Sequence, residues 1–283
     1  MPKTRQAPWT LLLISACLTG CVPSTATPQA ALVPSPSAPA ESSTRTPAVA
    51  TAATVAGSQL LPGGLRLEEH LLLAAPELDP LTFLPVSGTE DQVLSRHAAE
   101  RAQALPSRLF FEDGSPCLWA PWDGDQLVAR LRAADEDPLE QIVELWQGDT
   151  LLLTAPAGLP SPALPLQGLW TYDGHWALEI LLATPEIWAG QVFLDGELLN
   201  QTERYEEAFS FQLLAGKPFY LYQRDGKIGL SYDGQEIDLG YSQVPHYQCC
   251  SGSVLNPLQA EKMVAFFAER DGIWRYVEVG LFE

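Results

Sequence analysis

The ten residues VPHYQCCSGS, Val244 to Ser253, hold the densest set of reactive side chains in the chain. His246, Cys249 and Cys250 offer one imidazole and two thiolates, a donor set that suits zinc or copper. Adjacent cysteines are poorly placed around a single tetrahedral ion, and no CxxC or second His/Cys cluster completes the set. The pattern therefore weighs against a metal here, and no cofactor is expected. Ser251 and Ser253 lie near His246, but no GxSxG elbow accompanies them, and Ser231 in GLSYDG lacks the second glycine. The chain has four histidines, His70, His97, His175 and His246, so a Ser-His-Asp arrangement has few members to draw on. His175 and Glu179 have the outer spacing of HExxH within a segment that alternates as a strand. Asp123 with Asp125, and Asp135 with Asp137, lack the rest of a calcium loop, and no glycine-rich phosphate loop is present.

A different kind of chemistry is written at the start of the chain. Lys3 and Arg5 precede a short apolar run from Trp9 to Leu18, too short to span a bilayer and of the length of a signal-peptide core. Leu18, Thr19, Gly20 and Cys21 follow, and this LTGC segment resembles a bacterial lipobox. The resemblance implies cleavage after residue 20, diacylation of Cys21 and a location on the bacterial cell envelope, lipid-anchored and extracytoplasmic. A register ending at Cys17 satisfies a looser pattern but shortens the apolar run. Two acyl chains hold a protein stably on a membrane where one does not. In that compartment thiols oxidise, so Cys117, Cys249 and Cys250 become disulfide candidates: a bridge from Cys117 to one of the pair, or a strained ring between the adjacent two.

Residues 22–58 are about three quarters Ala, Pro, Ser and Thr, with Glu41 and Arg45 the charged members. Such a segment cannot bury enough apolar surface to offset its chain entropy and reads as a disordered tether. Its mixed coil would span on the order of 35 Å. The formal charge of the chain is −19, and removal of Lys3 and Arg5 with a leader takes it to −21. A field of that sign repels nucleic acid and anionic headgroups, which leaves the lipid anchor as the membrane contact and an envelope protein or glycan as the expected partner.

The elements that must position any site follow from one recurrent dipeptide. Asp-Gly occurs at Asp113, Asp123, Asp173, Asp195, Asp225, Asp233 and Asp271, between apolar or alternating runs. Both residues tolerate the positive φ angles of a type I′ turn, so each pair predicts a tight hairpin. In FYLYQRDGKIGLSYDGQEIDLGY, Phe219 to Tyr241, alternation on either side of two such pairs predicts a three-stranded meander with one buried face. Gly148 and Asp149 predict a hairpin turn of the other hand. The segments LWAPWDGDQLVARL and LWTYDGHWALEIL share Leu-Trp and an aromatic residue before Asp-Gly, and Trp122, Tyr172 and Tyr232 all hold that place. This strand-turn-strand unit resembles the blades of TolB-type and WD40-like propellers, although proline is missing before Asp173 and Asp233. The resemblance implies a propeller-like, all-β domain of antiparallel meander sheets, with a β-sandwich as the competing architecture.

The expected layout is a signal peptide over 1–20, a tether over 21–58, a cover segment over 59–107 and a β-rich domain over 108–283. The cover segment contains a helix from Gly88 to Leu105, with Thr89 as N-cap and Pro106 as stop. Trp119, Trp146, Trp170, Trp176, Trp188 and Trp274 fall in apolar strands and are expected in the core, whereas Trp122, at a turn, is the expected exposed aromatic. These features predict a non-catalytic envelope binding domain; the alternative is a secreted hydrolase working in a propeller funnel or sheet cleft.

Overall fold

All seven Asp-Gly pairs turn the chain as their sequence predicts. Each Asp sits at a φ between 44° and 56° and each following Gly at a φ between 66° and 93°, so both turn residues are left-handed. Residues 55–72, 108–247 and 256–281 are described by the structure, a computed structural model. The strands begin with β1 (Val55–Leu60), β2 (Arg66–Leu71), β3 (Arg108–Glu112), β4 (Ser115–Trp122), β5 (Asp125–Ala133) and β6 (Gln141–Gln147). They continue with β7 (Thr150–Gly158), β8 (Leu166–Tyr172), β9 (His175–Ala183), β10 (Trp188–Leu194) and β11 (Glu197–Leu198), the last leading into the one-turn helix α1 (Leu199–Thr202). After it come β12 (Glu207–Leu214), β13 (Lys217–Arg224), β14 (Lys227–Tyr232), β15 (Gln235–Tyr241), β16 (Leu258–Gln259), β17 (Met263–Arg270) and β18 (Ile273–Gly280).

The strands form three sheets, and the protein is all-β. The first has the order β1-β2-β18-β17-β16, the second β11-β10-β9-β7-β6-β5-β4-β3 with β8 on β9, and the third β12-β13-β14-β15. Apart from one residue pair, Gly158 with Ala183, every ladder is antiparallel. That pair joins two antiparallel groups, β3 to β7 and β8 to β11, into one sheet. Leu159 N–H donates to the Ala183 carbonyl at 2.8 Å across the junction. Gly158 has φ 76°, and a Cβ there would lie 2.0 Å from the same carbonyl oxygen, so the chains can only meet where a side chain is missing.

Successive groups of strands pack face on face. Leu118, Leu127, Val143 and Leu145 of the first group bury against Leu169, Trp176, Leu178 and Ile180 of the second. Trp170, Ala177 and Val192 of the second group meet Ala208, Phe211 and Tyr220 of the third sheet. Phe209, Phe219, Leu230 and Tyr241 of that sheet meet Leu67, Phe266 and Val277 of the first. Each fully buried ring or branched side chain contributes about 1.5–3 kcal/mol on leaving water. The first and third sheets thus share one core, and the groups with a Trp122 or Tyr172 turn are joined into one sheet by the single Gly158–Ala183 pair.

Two expectations shift. β1 begins inside the segment read as tether, and residues 59–72 are not a cover: β2 lies between β1 and β18 in the first sheet. The local sequence hid this because the partner of β2 comes from the far end of the chain, with Leu67 opposite Val279. Cys117 is a free thiol, 1% exposed, so the bridge expected from it to Cys249 or Cys250 is not formed. Burial pushes this thiol up, as expected of a packed apolar site. Cys21 and Cys17, the helix at 88–105, and Cys249 with Cys250 lie outside the described residues.

Candidate functional site

His246 is placed by the segment after β15, where it stacks on Phe209 of β12 with ring centroids 3.8 Å apart and planes 5° from parallel. Its Nδ1 lies 2.5 Å from the Val244 carbonyl and its Nε2 2.9 Å from a Glu207 carboxylate oxygen. Both partners are acceptors when Glu207 is ionised, so the ring donates from both nitrogens and keeps no lone pair for a metal. Burial pulls the His246 imidazole down, but the Glu207 charge and hydrogen bond, the Val244 carbonyl and Glu179 outweigh it and raise its pKa. The sequence-level set of His246, Cys249 and Cys250 therefore has an imidazole already committed to oxygen.

Glu179, in the middle of β9, explains the surroundings. It is 2% exposed, and its two oxygens accept from the N–H groups of Ser210 (2.9 Å) and Phe211 (2.7 Å). Those N–H groups are free because β12 bulges between Phe209 and Gln212, with Ser210 at φ 57°. Tyr247 Oη donates to the same carboxylate. Burial pushes the Glu179 carboxyl up, against the pull of Tyr247, the two amides and His246. Glu207 also accepts from Gly190 N–H at 2.6 Å, where a Cβ would lie 2.5 Å from the Ala208 carbonyl oxygen. The network locks β9 and β10 of the second sheet onto β12 of the third. His175, which shares the HExxH spacing with Glu179, is not part of it; its Nδ1 pairs with Asp195 at 2.7 Å on the surface.

The aromatics that precede Asp-Gly in the two longest similar segments do come together. The β4–β5 turn brings Pro121, Trp122 and Asp123, and the β8–β9 turn brings Thr171, Tyr172, Asp173 and Gly174, to one open cleft of about 520 Å³. Trp122 is half-buried with part of its ring against the second-sheet core. Tyr172 leans on Phe211 and His175, with centroids 6.4 and 5.7 Å away. Burial first, then Asp195, Tyr220 and Asp173, push its phenol up to about 12, so it stays a hydrogen-bond donor through the physiological range. The lining carries two carboxylates and no basic side chain. A second open cleft, of about 380 Å³, has Trp188, 37% exposed, at its rim and His246 in its wall.

Of the strand tryptophans, Trp170 and Trp176 are buried as expected, whereas Trp119, Trp146 and Trp274 are partly covered and Trp188 is exposed. Among the described residues, one set of metal-capable side chains converges: Glu68 and His70 of β2 with Glu278 of β18. Sequence reasoning missed it, since the alternating Glu-x-His of one strand signals nothing without the glutamate opposite. The chain matches no known family, no curated protein and no solved structure, so its chemistry is read from these residues alone.

Proposed function

We propose that this chain is a lipoprotein of the bacterial cell envelope whose β domain binds a glycan, without turning it over, in the cleft between Trp122 and Tyr172. The observation that carries the binding reading is the convergence of two aromatic rings, each set before an Asp-Gly turn, with Asp123 and Asp173 at the rim. Ring faces cover the apolar face of a sugar, and carboxylates and a phenol hold its hydroxyls, the combination of apolar walls and few placed polar groups that small ligands use. The LTGC segment supports the location and Cys21 the anchor. The absence of turnover rests on the buried network: His246 donates from both nitrogens and Glu179 accepts three bonds, so neither is poised to carry a proton for a substrate.

The test is calorimetric titration of the full chain, in detergent, with polysaccharide purified from bacterial envelopes. Trp122→Ala should weaken binding at least tenfold while leaving the melting temperature within about 2 °C, as for a partly exposed side chain. Binding that is absent, or unchanged in Trp122→Ala, refutes the glycan reading; binding of an envelope protein in the same cleft would replace it.

A further inference from the structure

We propose that Glu68, His70 and Glu278 form a binding site for a divalent transition ion, of the Zn2+ or Mn2+ kind, that staples β2 to β18. One ligand atom from each residue lies within 4.8 Å of the others. The register explains the convergence: Glu68 is directly opposite Glu278, and His70 directly opposite Tyr276, on one face of an antiparallel pair. Two carboxylates facing each other across strands repel, and a cation between them relieves that repulsion. Arg66 reaches Glu68 at 2.5 Å with a largely exposed guanidinium, and Glu278 is 8% exposed.

The second observation is independent of the acidic pair. His70 is 3% exposed, and neither Nδ1 nor Nε2 has a hydrogen-bond partner. Buried polar atoms are almost always satisfied, and an imidazole with both nitrogens orphaned beside two carboxylates calls for a missing partner. A cation supplies it: it neutralises Glu68 and Glu278 and takes the imidazole lone pair. One nitrogen and two carboxylate oxygens, with no thiolate, suit Zn2+ or Mn2+ better than Cu+, and the imidazole disfavours Ca2+ or Mg2+. Three protein ligands leave a fourth position for water. Because the ligands come from strands at opposite ends of the described chain, the ion would act on the seam of the first sheet.

The experiment uses the full chain in detergent with Cys249 and Cys250 replaced by Ser, so that this adjacent pair of thiols cannot compete for the ion. After chelation and removal of the chelator, ZnCl2 and MnCl2 are titrated by calorimetry and followed by thermal melting. One equivalent of Zn2+ or Mn2+ should bind and raise the melting temperature, since an ion held by the folded state alone stabilises it. His70→Gln should lose at least tenfold in affinity together with the thermal shift. Glu68→Gln, at a partly exposed position, carries the same test if His70→Gln does not fold. Retention of neither ion at 100 μM, or affinity unchanged in both variants, overturns the site.

Discussion

The two acceptors on His246 fix its charge, and the charge has a measurable consequence. A histidine whose folded pKa is raised contributes stability that is fully present below its unfolded value, about 6.5, and is lost as pH rises through the folded value. Glu179 adds the same sign: an acid with a raised folded pKa binds its proton better when folded, so stability again falls as pH rises. Urea midpoints should therefore decline from pH 6 to pH 8.5. Glu207→Gln leaves a buried imidazole without its counter-charge, and should cost about 3–5 kcal/mol at pH 6 and flatten that decline. A midpoint that rises over this range would contradict the assigned ionisation. The sequence made His246 visible as a reactive residue but not its role, because Glu179 and Glu207 are brought to it by strands of two different sheets. The place of Trp122 at a turn was legible because its neighbours, Pro121 and the Asp-Gly pair, fix the turn locally, but its half-burial was not, since the core it leans on comes mostly from other strands.

At the scale of elements, legibility followed the same division between local and distant causes. Every Asp-Gly hairpin could be read, since the two turn residues carry their own φ preferences. The hairpin between β12 and β13 could not, because Ala215 and Gly216 form the same left-handed turn, at φ 51° and 80°, with a residue that disfavours it. Ala215→Asn should therefore stabilise by about 0.5–1 kcal/mol in chemical denaturation, by supplying a residue at ease in that conformation. The junction at Gly158 makes the opposite case. Gly158→Ala places a methyl against the Ala183 carbonyl and strains a positive φ, so it should cost about 3 kcal/mol or more and expose amides of β7 and β9 to hydrogen exchange. An unchanged melting curve would mean the second sheet does not depend on that contact. No local pattern announces Gly158; the clash exists only once β9 has returned to β7.

For the whole molecule, the all-β class and meander order were legible from turn spacing, while the first sheet was not, since it pairs β2 with β18. Long-range pairings of this kind carry no sequence periodicity and must overcome a large loop-closure entropy. A chain beginning at residue 73 would lose both β1 and β2, baring the β18 edge and part of the core around Leu61, Leu65 and Leu67; it should fail to melt cooperatively in calorimetry. At the level of the cell, Cys21→Ser should move the protein from the membrane to the soluble fraction, as expected of the proposed anchor.

The pairing of β2 with β18 also sets an order in time. The ribosome delivers a chain from its first residue onward, so β2 emerges with an edge that has no mate until Ile273 to Gly280 arrive. The first sheet can then complete itself only once β18 has emerged, and through that interval its apolar strands are open to chaperones and proteases, which makes synthesis, rather than the finished fold, its most exposed moment.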